Sequence, residues 1–564
     1  MPTSPIRNCD SSSSLFKLVD EIWKGPFGNE TFHRICTMTR HMGVKFAVVE
    51  LIDKTFVEHA KISEEIAAIE MRLSGKVSTE IYKVTFLKSA VKNENDVLSV
   101  LDNDFLGYAI IINLTVNSGA TKSYIFESII RDLSSVEISS PQKGKPGPPS
   151  NHFLHVKKAF TCSVLKNHPY KILQGTFFCQ QSSITSVCAH ACALMMLNNC
   201  TEVSTLITFE DINHLLGIDH LNRMQTVHSR YGNNERATHE GLTSLELEKV
   251  FKHFGFVPYR QTFENIKQRY FREFIYGFIE SGYPALLTFT TISPNNDLSA
   301  HVVAVVGHTL NAHSWLPSAF AHYAGTFDPE KPYLSTLGWI NDLLVHDDNF
   351  GMQLCLPAHS FKPEDYPDPG IGFTPTEAIG IFPQTKNVRL LSHNAERIAS
   401  GILYQIFSMF YEEGKLPKEN YYLSHLQKHI LDPYTRTVVL RTSLVERSDY
   451  LEHLRLPDHS GKCYSDATRD KILKALDKFE RIWLVEVTEP DLYVGNLSKV
   501  IDIILNPEFD PNQSNVDFRK ALIMLRFPEF LMLPTKFNPE SIDYSVDGPL
   551  EIDEHLPLIQ VGIG

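Results

Sequence analysis

Four polar positions in this chain stand out because, brought together, they would carry out acyl transfer. Cys188 lies in Gln180-Gln181-Ser182-Ser183-Ile184-Thr185-Ser186-Val187-Cys188-Ala189-His190-Ala191-Cys192, seven residues after Gln181, and opens an apolar run that continues to Leu197. His301 heads His301-Val302-Val303-Ala304-Val305-Val306-Gly307, and Asp347 ends Leu343-Leu344-Val345-His346, with Asp348 and Asn349 close behind. A thiol becomes a strong nucleophile when a base takes its proton. Imidazole, with an ordinary pKa of about 6.5, suits that task when a third group holds its tautomer. Asp347 is the best third group, and Asp348 and Asn349 are its rivals. Each position also has a plainer reading: Cys188 as a small core residue, Asp347 as a strand-end turn residue.

The elements that would position these groups are legible in part. With Thr185 or Ser186 as N-cap, Cys188 falls in the first helical turn, where free backbone N–H groups and the positive end of the helix dipole favour a thiolate. The residues after it are apolar around the whole helix, which predicts a central, buried element. Gly241-Leu242-Thr243-Ser244-Leu245-Glu246 carries a capping box, and that helix should stop at Gly255. A second helix is expected from Phe271 to Glu280, ended by Ser281-Gly282-Tyr283-Pro284, after which Ala285 to Phe289 must run extended. Cys188 and Cys192 share a helical face at i and i+4, but His190 points away from it and no second closely spaced pair supplies further zinc ligands, so no metal is expected. His190, His308, His313 and His346 have no spacing that singles them out and read as surface or cleft-lining residues.

At 564 residues the chain is too long for one core, and the length suggests about three to four domains. Its 43% hydrophobic content excludes a disordered or fibrous class. A net charge of −13, from 53 basic and 66 acidic residues, argues against a nucleic-acid backbone binder. The N-terminal Met1-Pro2-Thr3-Ser4-Pro5 lacks a basic region followed by an apolar one, and no apolar run is long enough to span a membrane. Nine scattered cysteines read as reduced thiols, so a soluble cytoplasmic protein is expected. Two Pro- and Gly-rich seams, Ser139 to Ser150 and Lys362 to Gly370, divide the chain into an N-terminal α/β region (residues 1–150), a middle region (151–376) and a C-terminal α/β region (377–564). Helices are expected from Ile62 to Leu73 and from Ala395 to Tyr411, and strands over Tyr108 to Leu114, Thr437 to Arg441 and Ile482 to Val487.

The order Gln, Cys on a helix, His heading a hydrophobic strand that ends in Gly, then Asp or Asn closing another resembles the papain-like cysteine peptidase superfamily, especially its bacterial peptidase C39-like members. Gly282 to Leu287, His301 to Gly307 and Val345 to Gly351 follow the family's succession, and the likeness covers roughly residues 165 to 360. It implies an α+β fold whose papain-like domain packs a central helix on an antiparallel sheet between flanking α/β regions. It implies Cys188 as nucleophile, His301 as base, Asp347 as the orienting residue, and Gln181 as side-chain donor to an oxyanion hole completed by the Cys188 N–H, with Gln180 the weaker candidate. Each such donor is worth about 3 to 4 kcal/mol in comparable sites. The implied activity is cysteine-dependent hydrolysis of a peptide, isopeptide or other amide in a peptide or protein substrate, without cofactor. Phytochelatin synthases belong to the same group, so transfer to an amine is the alternative, and a catalytically inactive binding scaffold is another.

Overall fold

The computed structural model describes residues 6–559 except 53–59, 94–95, 98, 117–118, 133–136, 140–145, 150–151, 155–157, 165–169, 219–240, 264–270, 293–297, 310–332, 341, 358–371, 386, 414–419, 432–437, 514–516, 538–541 and 553. The Lys362 to Gly370 seam and His313 lie outside the described residues. The protein is a mixed α+β chain that divides into two compact units, one of Met1–Gln268, Tyr283–Thr309 and Asp342–Pro383, the other of Arg269–Gly282, Leu310–Asn341 and Gln384–Gly564.

In the first unit, β1 (Ile6–Asn8), β2 (Phe46–Ile52), β3 (Ser78–Leu87), β4 (Phe105–Thr115), β5 (Thr121–Arg131), β6 (Lys158–Ser163) and β7 (Tyr170–Phe178) form one antiparallel sheet in the order β1-β2-β3-β4-β5-β7-β6. Every residue of β4 except the last is buried, so this strand is covered on both faces and reads as a continuous apolar run. Helices α1 (Ser12–Ile22) and α2 (Asn29–His41) precede β2, and α3 (Ala60–Arg72) follows it. The sheet takes strands from both sides of residue 150. At the Ser139 to Ser150 seam, the backbone of Glu137–Ser139 pairs antiparallel with Pro146–Pro149.

Strand β7 leads directly to α4 (Cys188–Asn198), whose residues after Cys188 are all buried. A second antiparallel sheet receives it: β8 (Phe256–Thr262), β9 (Ala285–Ile292), β10 (Leu298–Thr309), β11 (Asp342–Asp347), β12 (Gly351–Pro357) and β13 (Gly372–Pro383) run in the order β8-β13-β9-β10-β11-β12. Cys192, one turn into α4, donates its S–H to the Val302 carbonyl at 3.1 Å, fixing the helix against β10. Between α4 and β8 come α5 (Phe209–Leu216) and α6 (Ser244–His253). The Thr243–Glu246 capping box forms as the sequence predicts, and Gly255, at φ +87°, follows the helix end. Gly282, at φ +82°, makes the switch from helix to β9 in a conformation that side chains disfavour.

The second unit contains α7 (Phe271–Glu280), α8 (Ser392–Glu413) and α9 (Tyr421–Leu431) beside a sheet ordered β14 (Val439–Glu446), β15 (Arg481–Thr488), β16 (Ile501–Leu505), β17 (Leu522–Phe527), β18 (Phe530–Phe537) and β19 (Ile542–Asp547). Its strands are antiparallel, and the short strand Leu334–Ser335 pairs parallel with β14. A row of charge crosses this core. Arg441, Glu486, Asp502 and Arg526 are successive cross-strand partners from β14 to β17. Glu280 bonds Arg441 at 2.8 Å, Arg441 bonds Glu486 at 2.7 Å, Lys499 bridges Glu486 (2.8 Å) and Asp502 (2.9 Å), and Arg526 bonds Asp502 at 2.6 Å. Signs alternate along the row, so the two acids that face each other across β15 and β16 are separated by an ammonium. Burial at this depth is tolerable only because every charge has an opposite neighbour.

Candidate active site

The loop that delivers Cys188 is shaped by hydroxyls. The Ser182 N–H donates to Ser186 Oγ at 2.9 Å, Ser182 Oγ meets Thr185 Oγ1 at 2.9 Å, and Thr185 Oγ1 donates to Glu65 Oε1 at 3.0 Å. Because these hydroxyls serve the loop, neither Thr185 nor Ser186 is the N-cap. Val187 takes that position, and Cys188 is the first helical residue. The capping that a valine cannot supply comes from His190, whose Nδ1 accepts from the Val187 N–H at 3.4 Å while its Nε2 meets Asn213 Oδ1 at 3.1 Å. The expectation that His190, His308 and His346 lie at the surface or line a cleft is wrong: they are 0%, 2% and 0% exposed, as interior polar groups or ring-packing partners.

His301 and Asp347, 46 residues apart, meet with His301 Nε2 3.0 Å from Asp347 Oδ2. Their strands β10 and β11 are neighbours, paired from Ala304–His346 onward, so the sheet register brings the two positions together. Asp347 is held in turn by the N–H groups of Asn349 (2.8 Å) and Phe350 (3.3 Å), which donate to its Oδ1. Nε2 is taken by Asp347, and the Cys188 side chain is the other group close enough to act on the ring's protonation. Burial alone would push the imidazolium down, but the hydrogen bonds to Asp347 and Cys188, with the charges of Asp347 and Asp348, raise His301 from its ordinary value to about 10. The Phe289 ring stands edge-on to His301, 5.6 Å between centroids.

Asp348 and Asn349, the rivals of Asp347, are placed differently. Asp348 is 1% exposed, and its carboxylate oxygens find no hydrogen-bond partner among the described residues. Burial pushes it up to about 7, with His301 pulling it down and Asp347 pushing it further up. Asn349 presents its side chain to Gln181, whose Nε2 lies 3.4 Å from Asn349 Oδ1. The two glutamines therefore separate. Gln180 is buried and wholly engaged, accepting from the Ile125 N–H at 2.9 Å and donating to the Asp348 carbonyl at 3.0 Å, so it straps the Asp347 turn to β5. Gln181 instead has its amide on Asn349, two residues beyond Asp347.

Sequence reasoning missed Gln180's strap and a second one from α2. Arg34 donates to the carbonyls of Met352 (3.1 Å) and Gln353 (2.6 Å), just beyond the turn after Asp347. Gly351 in that turn has φ +124°, and a Cβ there would sit 2.9 Å from the Arg34 side chain. A nearby Gly, an isolated Arg on a helix and an extra Gln carry no pattern that links them over hundreds of residues.

The other thiols differ from Cys188. Cys179, Cys192 and Cys200 are fully buried, and burial pushes each well above the ordinary thiol range. Cys355 and Cys463 are exposed, and Cys188 is half-buried. One donor atom each from His301, Asp347 and Asp348 also falls within 4.8 Å of the others, a grouping that a divalent cation could occupy. No helix among the described residues is long and apolar enough to cross a membrane. No protein-family model matches the chain, and no curated protein matches it.

Proposed function

We propose that this protein is a cysteine-dependent amide hydrolase in which Cys188, His301 and Asp347 act as a triad on a papain-like domain. The observation that carries the reading is His301 held at 3.0 Å by Asp347, with the half-buried Cys188 at the start of α4 among the side chains that act on the ring. The buried helix α4 against an antiparallel sheet supports the fold assignment.

In the reaction, the Cys188 thiolate attacks the carbonyl carbon of a peptide, isopeptide or other amide. The oxyanion is met by the Cys188 N–H at the helix start and by Gln181. The C–N bond breaks as His301 gives its Nδ1 proton to the leaving amine, leaving a thioester on Cys188. Water then loses a proton to His301 as it attacks the thioester, and the acid product departs with the thiolate and imidazolium restored. Asp347 keeps the ring oriented throughout and stabilises the imidazolium whenever the ring carries the proton.

Alkylation by a thiol-directed electrophile, mapped by mass spectrometry in wild type and Cys188→Ala, tests the reading. Cys188 should be modified faster than the exposed Cys355 and Cys463. Equal rates at all three would leave a binding scaffold instead. Peptide hydrolysis that persists in EDTA separates the thiol route from one using a cation at His301, Asp347 and Asp348. Products formed with and without an added amine distinguish hydrolysis from acyl transfer.

A further inference from the structure

A second cluster of metal-ligating side chains lies in the other unit, and it owes nothing to the thiol hydrolase reading. Helix α9 carries His425-Leu426-Gln427-Lys428-His429, which places two imidazoles at i and i+4, neighbours on one helical flank. Leu423, Leu426 and Ile430 turn into the core, leaving the histidine flank partly open to solvent. The two rings are 4.4 Å apart between centroids, and their Nε2 atoms converge to 3.3 Å. On the far side of the first ring, Glu489 Oε1 lies 2.7 Å from His425 Nδ1. Glu489 is the N-cap residue of the helix Pro490–Asn496 and its side chain is mostly buried, so its position is set by the backbone there. Tyr421 stacks on His425 at 5.7 Å, holding the ring plane from the solvent side.

The tautomers follow from these contacts. A carboxylate at Nδ1 requires Nδ1–H on His425, which leaves its Nε2 as a bare lone pair aimed at His429. Without a metal, His429 fills that lone pair by donating its own Nε2–H. With His429 in its Nδ1–H form instead, two lone pairs converge. Metal–nitrogen bonds of about 2.0 to 2.1 Å in tetrahedral geometry place two ligand nitrogens about 3.3 to 3.4 Å apart, and the observed separation is 3.3 Å. A carboxylate on the outer nitrogen of a ligating histidine is the recurrent device that fixes its tautomer and raises its basicity.

We propose that His425 and His429 form a two-imidazole site for a divalent transition-metal ion such as Zn²⁺, oriented by Glu489, with water completing the coordination. Imidazole donors suit zinc, nickel and copper and disfavour magnesium and calcium. The test titrates the full-length protein with Zn²⁺ alone at neutral pH by calorimetry, with D348N as a parallel background so that an ion held at the other donor group is counted separately. Wild type and D348N should each bind one equivalent that H425A/H429A lacks. E489Q should weaken that equivalent by about tenfold or more, while Mg²⁺ should not compete for it. H429Q, of similar reach, should show the same loss should the double alanine variant disturb α9, which circular dichroism would reveal. Equal stoichiometry and affinity in wild type, H425A/H429A and H429Q, or no such equivalent in wild type, would overturn the site and leave a hydrogen-bonded histidine pair.

Discussion

Asp347→Asn isolates the contact that the proposed chemistry needs most. The substitution keeps the shape of the side chain and its place in the turn but removes the charge facing His301 Nε2 at 3.0 Å. Raising an imidazolium from its ordinary 6.5 to about 10 corresponds to about 5 kcal/mol net of the burial penalty, with Asp347, Cys188 and Asp348 all contributing. A hydrogen bond to a charged group accounts for about 1.5 to 3 kcal/mol of it, so losing that charge should shift the balance between ion pair and neutral pair by roughly tenfold to hundredfold. The rate of Cys188 alkylation at neutral pH should fall by up to that factor. The sign of the stability effect is also set. A histidine raised in the folded state stabilises fully below its unfolded value near 6.5, and the contribution fades as pH rises through about 10. Urea unfolding of D347N against wild type should therefore show its largest deficit at about pH 6 and almost none above about pH 10. An alkylation rate unchanged in a folded D347N, or a deficit independent of pH, would refute the claim that Asp347 holds the imidazolium.

Gln180→Ala and Gln181→Ala should part company. The first removes two buried hydrogen bonds and should cost about 2 to 4 kcal/mol by urea unfolding, while the second should leave stability within about 0.5 kcal/mol and lower kcat by roughly 100-fold or more. Asp348→Asn should stabilise the protein at about pH 8 by a few kcal/mol at most, because an ionised, unpartnered carboxylate is relieved. A buried acid raised to about 7 costs stability above that pH and progressively less below it, so the gain should shrink toward pH 4; a constant gain would point to packing instead. Asp502→Ala strands Arg526 and Lys499 in the second unit and should cost about 3 to 5 kcal/mol, read by thermal unfolding, whereas a joint replacement of the row by apolar residues should cost less.

The elements that local chemistry dictates were legible. The capping box at Thr243, the helix from Phe271 to Glu280, and the strands around Ile110 and Trp483 follow from caps, breakers and hydrophobic period, and they form where expected. The start of α4 was displaced because the two hydroxyls that resemble N-caps, those of Thr185 and Ser186, bond instead to Ser182 and to Glu65. His190 reads as an ordinary polar residue, yet a helix buried on all sides must satisfy its first N–H groups internally, and it is the side chain within reach.

By itself the sequence determined which groups are available: a thiol at a helix start, an imidazole heading one strand, acids ending another, since these are matters of residue type and local period. Only the tertiary structure decided among the neighbours. Asp347, Asp348 and Asn349 are consecutive, and the pairing of β10 with β11 and the turn that follows set one against the ring, bury the next without a hydrogen-bond partner among the described residues, and give the third to Gln181. Gln180 and Gln181 are likewise divided by which of them meets β5. Such choices depend on contacts between residues 46, 55 and 168 positions apart, and no local propensity distinguishes such close neighbours.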